Sequence, residues 1–264
     1  MSCPVDNPQS SLGPEDLKRA AAERAVEGYV ESGMVLGLGT GSTAALVVRR
    51  VGELIAGGEL GAIRGIATSE RTAALAKEVG IPLLTLSEAR PAVTIDGADE
   101  IGPGLALIKG RGGALLREKI VAHAGGPGSL VVVADRSKLV DSLGEGPLPV
   151  EVESFGWGAT LESLASLGCE PELRMKGPDT PFVTDGGHYT ADCLFPSIPD
   201  PVALEAEISV SPEPWRAASS SASTEWLSSL VVRGSRLSGP SQRSRRIPRG
   251  CRGRYAPSRR RACR

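Results

Sequence analysis

The stretch from Met34 to Thr43, MVLGLGTGST, decides which fold to expect, because a short apolar run passes there through three closely spaced glycines into a helical pattern. The pattern predicts a strand over 34–38 and a helix over about 44–55. Glycines let the backbone come close to an anion, and the first turn of a helix offers unpaired N–H groups. The stretch therefore predicts an anion-binding turn. A plain tight turn capped by Ser42 or Thr43 is the alternative.

The same glycine spacing argues against nucleotide binding. It is GxGxG rather than the GxGxxG of dinucleotide-binding folds. Thr68-Ser69, rather than an acidic residue, stands at the tip of the next predicted strand. The Gly-Lys-Ser/Thr ending of a nucleotide P-loop is also missing. The stretch gives no reason to expect a nucleotide cofactor.

Strands and helices alternate through the first half of the chain. Helices are predicted over 14–32, 70–79 and about 114–123, and strands over 62–67, 81–84, 92–95 and 130–134, with a further apolar run over 105–108. The run 130–134 is continuous and β-branched, as in a fully buried strand. This alternation is typical of a parallel sheet with helices on both faces, so we expect a Rossmann-like α/β domain over residues 14–145.

The pattern changes near Gly146. Strands are predicted over 150–153 and 170–175, and helices over 157–167 and 201–208. The turn Asp185-Gly186-Gly187 between the segments 182–184 and 189–193 indicates a hairpin. This βαββα series predicts a smaller α+β domain over residues 146–208.

The last segment, residues 209–264, has a different composition, with 13 Ser, 13 Arg, no Lys and two acidic residues. Such a segment buries too little apolar surface to offset chain entropy, so we expect disorder there. The abrupt change also suggests a shifted reading frame, and an Arg-rich arm for nucleic acid is a further interpretation. The formal net charge of the whole chain is -1, so the rest of the chain is acidic and is not expected to bind nucleic acid.

Composition also bears on whether the chain is a membrane, secreted or metal-binding protein. No apolar run approaches the roughly 20 residues of a membrane span, and residues 1–13 lack the apolar stretch of a secretory signal. The five cysteines form no CxxC pair, and the chain has only two histidines, so no metal-ligand spacing is present. These features predict a soluble cytoplasmic protein with buried or idle thiols.

An acidic cluster, Asp96-Gly97-Ala98-Asp99-Glu100, follows the strand predicted over 92–95. Ligands bind beyond the carboxyl ends of strands in open α/β sheets. Asp96 and Asp99 are therefore candidates to contact sugar hydroxyls or to relay a proton. An Asp-Gly turn with a helix cap is the plainer interpretation, and three acids are also a possible Mg²⁺ site.

A second cluster is the run Lys109-Gly110-Arg111-Gly112-Gly113, with Glu118 on the following helix. A lysine in a glycine loop can neutralise a developing oxyanion, and a partly buried carboxylate whose pKa is raised can act as a general base. The alternatives are a solvated basic turn and a surface ion pair between Glu118 and its neighbours Arg117 or Lys119. Together the two clusters suggest proton transfer on a small anionic substrate.

Taken together, these motifs resemble those of the ribose-5-phosphate isomerase type A family. Six blocks match in the family's order: GLGTGSTA (37–44), TSERT (68–72), IDGADE (95–100), KGRGGALLREKI (109–120), VADRSKLV (133–140) and PLPVEV (147–152). The resemblance covers about residues 14–208. It departs from the family after Ile208, where the expected apolar returning segment is replaced by the Ser/Arg-rich composition.

The resemblance implies an activity and a role for each site residue. Members interconvert ribose 5-phosphate and ribulose 5-phosphate, in the non-oxidative branch of the pentose phosphate pathway, without metal or cofactor. Glu118 would shuttle a proton between C2 and C1 through an enediolate, Lys109 would stabilise the oxyanion, and Asp96 and Asp99 would bind hydroxyls and assist ring opening. The implied substrate-binding residues are Thr40, Gly41, Ser42, Thr43, Asp96, Gly97, Ala98, Asp99, Lys109, Gly110, Arg111, Gly112 and Lys138.

Other readings stay open at this point. A non-catalytic sugar-phosphate sensor on the same fold would explain the glycine turn equally well but gives no reason to combine Lys109 with Glu118. An isomerase inactivated by its unusual C-terminal segment is another. The resemblance implies a homodimer or homotetramer, and no membrane partner is expected.

Overall fold

The computed structural model describes residues 13–210. The predicted disorder, frame shift and Arg-rich arm concern residues 209–264. Of these residues, Ser209 and Val210 end the last helix, and residues 211–264 lie outside the described residues. No helix within residues 13–210 is long and apolar enough to cross a membrane. The predicted α/β fold class is confirmed, because a parallel sheet and its helices make up the first part of the described chain.

The main sheet has four parallel strands. In spatial order they are β2 (Arg64–Ala67), β1 (Val35–Leu38), β3 (Val93–Asp96) and β6 (Leu130–Val132). The two central strands, β1 and β3, carry the turns that are described below as the site. The strand predicted over 81–84 contributes only one bridge, between Gly65 and Leu83, because Pro82 has no N–H to donate to a ladder.

Four helices accompany this sheet: α1 (Pro14–Tyr29), α2 (Ser42–Ala56), α3 (Glu70–Glu78) and α4 (Leu115–Ala124). In α2, Val47, Val51 and Leu54 repeat at helical spacing and are buried in the main core. The same core takes in Leu36 and Ile95 of the central strands. This packing fixes the start of α2 against the ends of β1 and β3.

A short excursion leaves the sheet after β3. Strand β4 (Glu100–Ile101) pairs antiparallel with β5 (Leu107–Ile108), and a 3-10 turn over Pro103–Leu105 joins them. The predicted apolar run over 105–108 is thus part turn and part strand. The excursion brings the acidic cluster and Lys109 back to the same edge of the sheet, since Asp99 N–H donates to the carbonyl of Ile108 at 2.8 Å.

A second, antiparallel sheet has the order β7 (Leu148–Val152), β11 (Tyr189–Leu194) and β8 (Glu170–Leu173). Helices α5 (Trp157–Ala165) and α6 (Pro201–Val210) follow β7 and β11 in the chain, and residues of α5 and of the sheet share a second core. The hairpin predicted between 182–184 and 189–193 is wrong as a strand pair. The turn forms, but β11 pairs with β7 and β8, while β9 (Met175–Gly177) and β10 (Thr180–Pro181) make the hairpin.

Candidate active site

A cleft of about 460 Å³ opens beyond the carboxyl ends of β1, β3 and β6. It is lined by the turn after β1, the turn after β3, the glycine loop, the first turn of α4 and the segment after β6. The predicted residues that line it are Thr40, Gly41, Ser42, Thr43, Gly97, Ala98, Asp99, Lys109, Gly110, Gly112, Glu118 and Lys138. The structure therefore brings most of the sequence-predicted site together in one cavity.

Lys109 lies between two carboxylates. Its Nζ is 2.8 Å from Oδ2 of Asp96 and 3.4 Å from Oε2 of Glu118, and it also donates to the carbonyl of Gly97. Burial alone would lower the pKa of Lys109, but the charges of the two carboxylates outweigh burial and raise that pKa above its ordinary value. The lysine is thus a fixed ammonium at the floor of the cleft.

Glu118 sits in the first turn of α4 with 3% of its surface exposed. Burial raises the pKa of Glu118 to about 7, and the charge of Asp96 adds to this effect while Lys109 opposes it. Within the described chain, the contact of its Oε2 with a polar partner is the long ion pair with Lys109, at 3.4 Å. A carboxylate in this state gains and loses a proton near neutral pH, as a general base requires. Glu118 is therefore no surface partner of Arg117, which instead contacts Glu70 at 2.8 Å.

Asp96 ends β3 and is buried beneath the cleft rather than lining it. Its Oδ1 accepts from the backbone N–H of Thr40 at 3.1 Å and of Gly97 at 2.8 Å, and its Oδ2 faces Lys109. A side chain at position 39 would overlap this carboxylate, so Gly39 is required for the close approach of the two strand ends. The glycines after β1 thus serve strand packing as well as the turn.

Asp99 and Arg111 have different surroundings. Oδ2 of Asp99 accepts from the backbone N–H of Arg111 at 2.9 Å, and Asp99 lines the cleft. The side chain of Arg111 points elsewhere, to the carboxylate of Glu100 and the carbonyl of Pro147. Arg111 is not among the residues that line the cleft, and its role in substrate binding stays a prediction.

The acidic cluster does not form a metal cage. Asp96 is taken by Lys109, and Glu100 accepts from Arg111 and from the backbone N–H groups of Gly144 and Gly146, each at 2.8 Å. Within residues 13–210, no group of three or more His, Cys, Asp or Glu side chains is placed to hold a metal ion. The Mg²⁺ interpretation of the three acids finds no support in this geometry.

The turn after β1 leads directly into α2. The residue before the helix is Gly41, with φ of 127°, so the alternative of a Ser or Thr side-chain cap is wrong. The first N–H groups of a helix have no partner inside it, and Ser42 and Thr43 place theirs at the cleft. The positive end of the α2 dipole adds to this preference for an anion.

A hydroxyl cluster supports the turn from below. Thr40 Oγ1 contacts the hydroxyl oxygens of Thr68 at 2.7 Å, Ser69 at 2.8 Å and Thr72 at 3.1 Å. All four residues are buried. The hydroxyl of Thr40 is thus engaged under the turn. The sequence signalled this cluster only as the matching block 68–72, without indicating that its hydroxyls meet Thr40.

Sequence reasoning missed two basic residues of the cleft. Lys18 of α1 and Arg136, at the segment after β6, line the cleft with Lys138. Lys18 also pairs with Glu15 at 2.9 Å. The pattern of α1 carries no signal that this lysine turns toward the sheet. The nearby Asp135 is held by Ser137, whose side-chain hydrogen bond does most to lower the pKa of that carboxyl.

Comparison with known proteins gives one consistent result. The family model described as ribose 5-phosphate isomerase A (phosphoriboisomerase A) matches residues 64–212. The chain is 52% identical over 198 residues to ribose-5-phosphate isomerase A of Roseiflexus castenholzii, covering 74% of this chain and 83% of that protein. It is 56% identical over 196 residues to the enzyme of the same name from Gloeobacter violaceus, covering 73% and 82%.

Solved structures agree. A D-ribose-5-phosphate isomerase in complex with phospho-erythronic acid has a TM-score of 0.71 and 41% sequence identity to this chain, covering 74% of this chain and 86% of that one. The prediction of an aldose-ketose isomerase is confirmed, and the alternative of a non-catalytic sensor is not supported. The chain belongs to the ribose 5-phosphate isomerase A family.

Proposed function

We propose that this isomerase interconverts D-ribose 5-phosphate and D-ribulose 5-phosphate through an enediolate, with Glu118 as the base. The observation that carries the proposal is the placement of Lys109 within 3.4 Å of a buried Glu118 at the floor of one cleft. An α-proton is a very weak acid, so enolisation needs both a base and a preorganised positive group. This pair supplies both.

The proton transfer can be written atom by atom. In the open-chain aldose, the Glu118 carboxylate removes the proton from C2, the electron pair forms the C1–C2 double bond, and the charge moves to O1. Lys109 stabilises this oxyanion. The proton on O2 then passes to O1, and Glu118 returns its proton to C1, which leaves a ketone at C2. No atom is lost and no oxidant is needed.

The two aspartates have separate roles in this proposal. Asp99 lines the cleft and meets the sugar hydroxyls and the ring oxygen directly. Asp96 is buried and holds the ammonium of Lys109 at 2.8 Å, so it acts on the substrate through that lysine. The assignment of Asp96 as a direct hydroxyl ligand is therefore replaced by a positioning role.

The phosphate occupies the other end of the cleft. The N-terminus of α2 at Gly41, Ser42 and Thr43 offers N–H groups and hydroxyls, and Lys138 and Lys18 add positive charge. The backbone of Gly97, Ala98, Gly110 and Gly112 lines the space between the two ends. This arrangement fits a sugar chain with a phosphate at one end and a carbonyl at the other.

The test is Glu118→Gln, with the exposed Glu53→Gln as a matched control on α2. We expect kcat for ribose 5-phosphate to fall by about 10²–10⁴-fold in the first variant and to be unchanged in the second. Isothermal titration with ribose 5-phosphate should still show binding to Glu118→Gln. Turnover of Glu118→Gln at the wild-type rate would rule out this residue as the base.

We propose three further properties on the same footing. The chain has a catalytic domain over residues 14–145 and a small domain over 146–208. Two buried cores support this division, although the second core also takes in Ile108 and Leu143 of the first range. It assembles as a homodimer or homotetramer and resides in the cytoplasm. Size-exclusion chromatography of the full chain with light scattering tests the oligomeric state. Cell fractionation with an activity assay tests the cytoplasmic location.

A further inference from the structure

The glycine loop that carries Lys109 is held by a hydrogen bond within the loop and by residues next to the second sheet. The loop runs from Lys109 to Gly113 and closes through a hydrogen bond from the Gly113 N–H to the Gly110 carbonyl, 2.9 Å long. Gly110 has φ of 96° and Gly113 has φ of 81°. Two such residues in five make the loop path dependent on external contacts, since side-chain sterics restrict them little.

Arg174 supplies one of these contacts. It follows β8, and its guanidinium donates to both carboxylate oxygens of Asp192 on β11. The remaining nitrogen, Nη1, donates to the carbonyl of Arg111 in the glycine loop at 3.0 Å. The side chain is only 16% exposed. A guanidinium can span a carboxylate and a carbonyl in this way because its donors form a rigid planar fork.

Phe182 supplies the second contact. The Phe182 backbone N–H donates to the Arg174 carbonyl at 2.8 Å, and the Arg174 guanidinium lies 5.7 Å from the centre of the Phe182 ring. The ring in turn lies so close to Gly113 that a side chain there would overlap it. The loop is therefore held at Arg111 by Arg174, which follows β8, and at Gly113 by Phe182, which follows β10.

Arg111, which Arg174 holds, also contacts Asp99 at the end of the cleft where the chemistry is proposed to occur. The N–H of Arg111 donates to Asp99 Oδ2 at 2.9 Å, and its side chain binds Glu100. Lys109 lies two residues before it in the chain. A shift of the Arg111 backbone would therefore move the Asp99 contact and alter the approach of Lys109 to Glu118.

We propose that Arg174, held by Asp192, is a positioning residue that sets the catalytic geometry of the glycine loop. The inference rests on the proposed roles of Lys109 and Glu118. It assigns a part in the chemistry to the small domain, where residues 147–152 are the one stretch that belongs to the six matching blocks. Misplacing a reacting group by about 1 Å can cost about 10²-fold in rate, which sets the size of the expected effect.

The experiment compares Arg174→Ala with Arg49→Ala in the full chain, because Arg49 is an exposed arginine whose ion pair lies on the surface. We expect Arg174→Ala to lower kcat by about 10–100-fold with KM changed by less than about threefold. Added guanidinium chloride at millimolar concentration should restore part of the rate by filling the vacated site. Arg49→Ala should match the wild type and show no rescue.

If Arg174→Ala does not fold, the variants Arg174→Lys and Asp192→Asn test the positioning role of Arg174 instead. The lysine keeps the charge but cannot bind Asp192 in two places and the Arg111 carbonyl at once. Both variants should fold, lose at least about fivefold in kcat and shift the acid limb of the pH–rate profile, since Glu118 is surrounded by Lys109, Asp96 and Asp99.

Two results would overturn the inference. Folded Arg174→Lys and Asp192→Asn variants with wild-type kcat and an unchanged pH profile would leave Arg174 a purely structural role. Reduced thermal stability alone, with full turnover, would have the same meaning. Failure of the proposed function is distinguishable, because in that case Glu118→Gln and Lys109→Met would themselves remain active.

Discussion

Two glutamates in this molecule are equally buried and behave in opposite ways. Glu100 and Glu118 are each 3% exposed. Around Glu100, burial alone would raise the pKa, but the N–H groups of Gly144 and Gly146 and the guanidinium of Arg111 outweigh it, and the pKa is lowered. Around Glu118, burial prevails and the pKa rises to about 7. Three donors surround the carboxylate of Glu100, whereas Lys109 is the one cation close to that of Glu118 among the described residues, and this difference helps to keep one pKa low and to let the other rise.

The largest effect on the contrast between Glu100 and Glu118 is expected from removing the cation beside Glu118. Lys109→Met should lower kcat by about 10²–10³-fold, because the oxyanion loses its positive partner. It should also raise the pKa of Glu118 further, since Lys109 opposes the effect of burial. The measurement is the pH–rate profile of the residual activity, with Lys77→Met on the outer part of α3 as the control. An acid limb that stays at the wild-type position would contradict this account of Glu118.

Glu118 and Glu100 should also differ in how the free energy of unfolding depends on pH. The pKa of Glu118 is higher in the folded than in the unfolded protein, so the folded state binds more protons and loses stability as pH rises from about 4.3 toward 7. The loss is about 4 kcal/mol for a change of the pKa from about 4.3 to about 7. Denaturant unfolding of wild type and Glu118→Gln at pH 5 and pH 8 should show that the variant gains on the wild type at the higher pH. Parallel changes in both proteins would refute the assignment.

Glu100 should show the reverse pattern. Glu100→Gln should lower the free energy of unfolding by about 2 kcal/mol, because Arg111 and two backbone donors lose a charged acceptor. Its effect on kcat should be much smaller than that of Glu118→Gln. Since the pKa of Glu100 is lowered by folding, its contribution is present above about pH 4.3 and is lost as pH falls through the folded value. Urea unfolding at pH 7 and pH 4 checks both points, with Glu53→Gln as the reference.

The smallest effect concerns the neighbouring charge of Asp99. Among the groups that raise the pKa of Glu118, its contribution is the weakest. Asp99→Asn should therefore lower the pKa of Glu118 by less than about one unit. A carbon-detected NMR titration of the Glu118 carboxyl measures this directly and does not depend on turnover. A rise in the pKa would show that Asp99 acts mainly through the glycine loop.

Much of the parallel-sheet domain could be predicted from the sequence, because β1, β3 and β6 are short apolar runs with a glycine or an acid at or just after the end. The proximity of Lys109 and Glu118 could also be predicted, since a glycine loop followed by a helix limits how far apart they can lie. The direction in which the Arg111 side chain points could not be predicted. Two cations stand two residues apart in one flexible loop, and only the buried Glu100 decides which of them turns away from the cleft.

The second sheet was harder to predict because its strands pair across long stretches of chain. The turn at Asp185-Gly186-Gly187 is correct in the sequence prediction, but a turn signal does not identify the ladder partners of the strand that follows it. Lys18 was missed for a similar reason, since it comes from a helix far from the other blocks. The grip of Arg174 on the loop likewise joins residues 63 positions apart.

The close approach at Gly39 limits how this enzyme can be altered. The backbone at that point lies directly against the Asp96 carboxylate that pairs with the ammonium of Lys109, so even a methyl group would overlap it. Engineering for new sugar substrates is therefore better directed at the exposed Arg136 on the rim of the cleft than at the glycine turn. A saturation library at Gly39 should yield almost no active clones, whereas one at Arg136 should yield many.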